Sequence, residues 1–242
     1  MSSDVTILCR SFSDTGRIAD ILGNVRRIDL DKVALQEAMA ALDIAGVVHL
    51  ATDYGRLGTR AADVFRTNFL LPVELLEIVI AHGARFFVNT DSYFCKPQFG
   101  YPAMPEYSYS KTCFLGWARK NVERIHLANI RLEHVYGPAD GVEKFVPTIL
   151  GQMLNPTVRE IRLTPGEQRR DFVFIADVVE AYRRVIAAAE KAPPGYASYE
   201  AGTGISIGVR HFVEKLHEAT ASNDIGLRRD SVSERRNHGL FR

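Results

Sequence analysis

The 242 residues are 46% hydrophobic and 24% charged, the balance of an ordinary globular protein, which excludes a disordered, collagen-like or coiled-coil chain. Thirty Lys and Arg against 29 Asp and Glu leave a net charge of +1, so no global field gathers nucleic acid or an anionic membrane. Cys9, Cys95 and Cys113 form no C-x-x-C pair, residues 1–10 hold no basic segment leading into an apolar run, and no stretch nears the ~18 apolar residues that span a bilayer. A cytoplasmic protein with free thiols, no membrane association and no nucleic-acid partner is expected.

Short β-branched runs at Val5–Cys9, Val25–Leu30, Val47–Ala51, Arg85–Asn89 and Ile125–Leu132 read as strands buried on both faces. Helical patterns lie between them. Lys32–Leu42 puts Leu35, Ala38, Met39 and Leu42 on one stripe, with Asp31 available as N-cap. Ala62–Ala81 is a long helical pattern that Pro72 kinks or splits and Gly83 closes. Repeated strand–helix–strand units predict an α/β fold, a doubly wound parallel sheet with helices on both faces. After Pro138 the pattern is less regular: helices at Lys144–Leu154 and Asp177–Ala189, short strands at Glu160–Leu163 and Phe172–Phe174, then a last strand at Tyr199–Ala201 and a last helix at Ile207–Thr220. Residues 1–138 thus read as a parallel-sheet α/β domain, 139–221 as a smaller lobe, and 222–242, rich in Arg and poor in large apolar residues, as a poorly packed tail.

The strongest chemical signal is Tyr107-Ser108-Tyr109-Ser110-Lys111 at the start of a helix running toward Asn121. Positions i and i+4 share a helix face, so the ammonium sits beside the phenol and favours its ionised form, as a general acid or base at neutral pH requires. Alone, so short a pattern fits equally an exposed Tyr and a solvated Lys. Three strand ends add context: His49-Leu50-Ala51-Thr52-Asp53, Asn89-Thr90-Asp91-Ser92, and Glu133-His134-Val135-Tyr136-Gly137-Pro138 carry polar groups to the carboxyl rim where open α/β sheets bind ligands. His49 and His82 lack ligand-spaced partners, and no metal site is expected.

These residues resemble the extended short-chain dehydrogenases/reductases, or NAD-dependent epimerases/dehydratases, which act on nucleotide sugars; the likeness runs from about Val5 to Thr220. Thr90, Tyr107 and Lys111 match the family's catalytic hydroxyl, tyrosine and lysine, His49–Thr52 matches its strand end beside the cofactor, and Gln168–Val179 matches its substrate-lobe signature, in which Arg170 meets the diphosphate. The resemblance implies a Rossmann-like fold with a small C-terminal substrate lobe and a homodimer joined through the helices at Ala62–Ala81 and Tyr107–Asn121. It implies cofactor contacts from Arg10, Ser11, Asp29, Leu30, Leu50, Ala51, Thr52 and Lys111, and substrate contacts from His134, Lys144 and Arg170. TDSYF at Thr90 and LEHVYGP at Leu132 are similar to 4-ketoreductases of the CDP-abequose and CDP-paratose synthase type. A dehydratase of the family carries Asp-Glu after the threonine; here the pair is Asp91-Ser92, which keeps the acid Asp91 and removes the base. Reduction of a sugar C4 ketone is the expected reaction, with 4-epimerisation the alternative. Arg10 where an acidic residue would hold the NAD ribose implies NADP(H) over NAD(H).

The family opens with a strand and a G-x-x-G-x-x-G turn that holds the pyrophosphate at a helix N-terminus, and none of the 18 glycines forms that triplet near the start. Val5–Cys9 aligns with the family's second strand, so the expected sheet lacks the first strand and the glycine-rich turn. The expected consequences are two unpaired strand edges and a weakly held cofactor, with a non-catalytic Rossmann protein as the further alternative.

Overall fold

The computed structural model describes residues 4–56, 58–96 and 104–220, with the backbone alone of 226–229. In chain order the elements are β1 (Thr6–Cys9), β2 (Arg26–Asp29), α1 (Leu35–Ala40), β3 (Gly46–His49), α2 (Ala61–Phe65), α3 (Leu71–Ala81), β4 (Phe86–Ser92), α4 (Pro105–Ala118), β5 (His126–Leu132), β6 (His134–Tyr136), α5 (Phe145–Met153), β7 (Glu160–Leu163), β8 (Arg169–Arg170), β9 (Phe172–Phe174), α6 (Ile175–Ala189), β10 (Gly195–Ala201), β11 (Ile207–Gly208), α7 (Val209–Thr220) and β12 (Gly226–Arg229). Strands alternating with helices make an α/β, Rossmann-like fold. The chain divides into two compact units, residues 1–90, 104–129 and 185–198, and residues 91–103, 130–184 and 199–242.

In the first unit β1 pairs in parallel with β2, Cys9 opposite Asp29. A separate sheet has the order β10-β5-β4-β3, with β3 parallel to β4 and His49 opposite Asn89. Among the described residues β1 and β3 share no ladder, so each ends its sheet with an unpaired edge. The core is built on α3, whose Leu75, Leu76, Ile78 and Val79 pack with Phe87 of β4, Phe114 and Ala118 of α4 and Leu127 of β5. Pro72 stands in the first turn of α3, and Arg66–Leu70 before it widen into a π-turn between α2 and α3. Gly83 ends α3 at φ +72°, a conformation that suits glycine.

In the second unit short ladders replace the large sheet. The pairs β6–β9 and β7–β12 are parallel and β8–β11 is antiparallel. Ile149 and Met153 of α5, Ile161 of β7 and Val213 of α7 form its core, and Phe172 stacks on Phe212 at 3.7 Å.

Four local expectations change. The strand expected over Val47–Ala51 ends at His49, while the one expected over Arg85–Asn89 continues to Ser92 and so carries Thr90 and Asp91 as strand residues. Asp31 does not cap α1, which starts after Ala34 without a side-chain cap; its carboxylate accepts instead from Arg10 Nε and the Ser11 amide across the β1–β2 ladder. Inside the stretch expected as a poorly packed tail, Gly226–Arg229 pair with the open edge of β7, because unsatisfied amides and carbonyls on an edge accept any extended segment in register. The remainder of 222–242 lies outside the described residues.

Candidate active site

In the first unit, helix geometry sets Tyr107 and Lys111 one turn apart on the buried face of α4, each about 5% exposed or less. The Lys111 ammonium stands 5.7 Å from the centre of the Tyr107 ring and donates to the main-chain oxygen of Thr90 at 2.9 Å. Tyr107, Lys111 and Thr90 therefore come together. Tyr54, which the sequence did not single out, stacks on Tyr107 with centroids 5.0 Å apart.

Asn68 is a second residue that pattern reading missed. Buried in the π-turn, its side-chain oxygen accepts from the Asp53 amide at 2.8 Å, and its NH2 donates to the Asp53 carbonyl at 2.8 Å and the Ser110 hydroxyl at 3.2 Å. One side chain thus ties the loop after β3, with Thr52, to α4 beside Lys111. An asparagine just ahead of the apolar run Phe69-Leu70-Leu71 was the available signal.

His49, at the end of β3, lies between the rings of Phe87 and Phe114 at 6.1 Å from each, and neither ring nitrogen has a hydrogen-bond partner among the described residues. Burial, and then the charge of Lys111, push its pKa down to about 4 against a smaller opposing effect of Asn89, so it is neutral at pH 7.

At the adjoining ends of β1 and β2, Arg10 Nε donates to Asp31 at 2.5 Å, the Ser11 hydroxyl donates to Asp29 at 2.6 Å, and the Asp31 amide donates to Asp29 at 3.0 Å. The Ser11 bond, then the Asp31 amide, hold the Asp29 carboxyl below the usual carboxylate range. Of the residues expected to meet a dinucleotide, Arg10 and Leu50 are exposed, Thr52 is half-buried and Lys111 is buried. For its pyrophosphate, β1 is followed by turns and two single 3-10 turns rather than an α-helix, so no helix N-terminus stands at that strand end among the described residues.

In the second unit Asp91 is an ion-pair partner. Its carboxylate accepts from the Ser92 amide at 2.8 Å and from Arg131 Nε and Nη2 at 3.0 Å. Arg131 continues to Glu200 at 3.1 Å, Glu200 to Lys96, and Lys96 to Glu133 at 2.5 Å, an alternating ladder of five charges. Burial alone would lower the Lys96 ammonium, but Glu133 and Glu200 outweigh it and hold its pKa above the usual lysine value.

His134 packs edge-on to Tyr93 at 4.7 Å, with Phe94 and Phe172 about it; burial, and then the Arg170 charge, lower its pKa to about 4. Lys144 precedes α5 and pairs with Asp140 at 2.7 Å. Arg170 lies over the Tyr93 ring at 5.3 Å. No group of three or more metal-ligating side chains occurs among the described residues, none of their helices is long and apolar enough to cross a membrane, and the three cysteines form no disulfide.

Residues 3–202 match the model of the NAD dependent epimerase/dehydratase family. Two CDP-abequose synthases are similar over most of the chain: that of Salmonella typhimurium is 38% identical over 202 residues, 82% of this chain and 67% of the relative, and that of Salmonella muenchen is 34% identical over 215 residues, 85% and 71%. Among solved structures, Helicobacter pylori ADP-L-glycero-D-manno-heptose-6-epimerase superposes with a TM-score of 0.74 at 22% identity over 93% of this chain and 76% of its own. Streptomyces venezuelae dTDP-glucose 4,6-dehydratase, with NAD bound, gives 0.72 at 18% identity over 98% and 77%. With a matching model over residues 3–202 and relatives above 30% identity, the chain belongs to the NAD dependent epimerase/dehydratase family.

Proposed function

We propose that the chain is a nucleotide-sugar oxidoreductase that reduces the C4 ketone of an NDP-4-keto-deoxysugar with NAD(P)H. The observation that carries this reading is the buried Lys111 ammonium set between the Tyr107 ring and the Thr90 carbonyl. A bound nicotinamide supplies the hydride for C4. Tyr107 donates the proton to the C4 oxygen, and Lys111 stabilises the phenolate that remains. The Thr90 hydroxyl binds the same oxygen while its carbonyl anchors Lys111. Asp91, engaged by Arg131 and the Ser92 amide, ties the end of β4 to β5; with Ser92 in place of a second acid, this supports reduction rather than dehydration.

Arg10, Ser11, Asp29 and Leu30 hold the adenosine end of the cofactor in this reading, and Leu50, Ala51, Thr52 and Lys111 the nicotinamide end. His134, Lys144 and Arg170 hold the nucleotide sugar, so residues 1–138 serve chiefly the cofactor and 139–221 the substrate. Arg10 donates to Asp31 through Nε, with no hydrogen bond from its Nη atoms among the described residues, and this supports NADPH over NADH. The similarity to CDP-abequose synthases favours a CDP-linked sugar. Exposed Leu70 on the π-turn and Tyr109 on α4 support a homodimer through this helical face, and the free thiols support a cytoplasmic location.

The test is NADPH consumption at 340 nm with a CDP-4-keto-deoxyhexose. Tyr107→Phe should cut turnover by about 100-fold or more without changing the Kd for CDP. The ratio of kcat/KM for NADPH over NADH should fall in Arg10→Ala. Inversion at C4 with no net NADPH oxidation would replace this reading with an epimerase.

A further inference from the structure

We propose that Tyr93 is a positioning residue that fixes the Arg170 guanidinium for the diphosphate of a nucleotide sugar; this deepens the reading of Arg170 given above and rests on it. Tyr93 opens a 3-10 turn, Tyr93–Cys95, that follows β4 directly, and its ring is 8% exposed. Phe94 and His134 meet it edge-on at 5.7 and 4.7 Å, so the ring is held from two sides.

Two cations lie against this ring. Lys96 Nζ is 5.6 Å from its centre and Arg170 Cζ is 5.3 Å. Their charges are treated differently. Lys96 is compensated by Glu133 and Glu200. Arg170 has no carboxylate partner among the described residues, and the carboxylate next to it in sequence, Asp171, is spent on the Thr203 amide and hydroxyl and the Gly204 amide. An anion arriving at Tyr93 therefore meets one unneutralised guanidinium.

The hydroxyl gives that guanidinium an orientation. Arg170 Nη1 donates to the Arg169 carbonyl at 2.7 Å and to Tyr93 Oη at 3.5 Å, which ties one nitrogen. Nε and Nη2 remain as a two-donor edge, the geometry that grips a phosphate. A ring alone attracts a cation without fixing its rotation, so the hydroxyl and the ring have separable roles.

Calorimetric titration of the whole chain with CDP tests this, with thermal unfolding of every variant as the folding control. Arg170→Met should weaken CDP by about 30-fold or more. Tyr93→Phe, which keeps the packing, should weaken it about five-fold. In the Arg170→Met background Tyr93→Phe should add nothing, the non-additivity that a merely structural tyrosine would not produce. If Arg170→Met weakens CDP but Tyr93→Phe is silent, or its effect simply adds, the positioning role is overturned and Arg170 stands. If Arg170→Met leaves CDP binding unchanged, or the parent chain binds no CDP, the assignment of Arg170 falls and Tyr93 falls with it.

Discussion

His49 shows how one buried side chain makes the molecule sensitive to acid. Its pKa is about 4 in the fold against 6.5 when exposed. Between those values the unfolded chain takes up a proton that the folded chain refuses, so stability is full above pH 6.5 and is lost as pH falls toward 4. The loss amounts to about 3 kcal/mol for this residue. His134, lowered to about 4 as well, acts with the same sign. Urea unfolding of the wild type should weaken steeply from pH 6.5 to 4, and His49→Leu, which leaves no buried imidazole between Phe87 and Phe114, should flatten that slope. An unchanged slope in the variant would show that the histidine is hydrated.

Among the elements, the π-turn Arg66–Leu70 has the largest consequence for the site, because it carries Asn68 inward where a regular α-helix would continue the apolar stripe. Asn68→Leu keeps the volume but leaves the Asp53 amide and the Ser110 hydroxyl without this partner, and it should cost about 3 kcal/mol in chemical denaturation. The loop holding Thr52 should loosen as well, visible as faster amide exchange over residues 51–55. The charge ladder of the second unit behaves as an element of its own. Arg131→Met strands the nearly buried Asp91 carboxylate, so it should destabilise by several kcal/mol, whereas Asp91→Asn combined with Arg131→Met should recover part of the loss.

For the molecule as a whole, the β1–β2 pair and the sheet that ends at β3 share no ladder among the described residues. Turns rather than an α-helix follow β1, so no helix N-terminus stands at that strand end among the described residues. The proposed homodimer belongs to this scale as well. Tyr109 and Leu70 are 63% and 47% exposed on the helical face, so Tyr109→Arg should convert a dimer to a monomer in sedimentation velocity with no loss of thermal stability.

Short-range features were legible in the amino acids. Apolar runs bounded by polar residues located the strands, although only β4 and β5 are largely buried, and Arg26 and Arg27 leave β2 exposed where burial on both faces was expected. The spacing of Tyr107 and Lys111 put them on one helix face, since the helical period is a property of the backbone. Pro72 and Gly83 marked a break and an end through their own backbone limits. Contacts between distant residues were not legible. Asp91 and Arg131 are 40 residues apart, Asn68 and Ser110 are 42, and Tyr93 and Arg170 are 77. Nothing in local sterics or hydrophobic period says which of many polar side chains will face one another once the strands have paired. The ladder that occupies Asp91, the clamp on the Thr52 loop and the tether on Arg170 were decided by tertiary structure, because each is a long-range choice among chemically similar partners made by the packing of the elements that carry them.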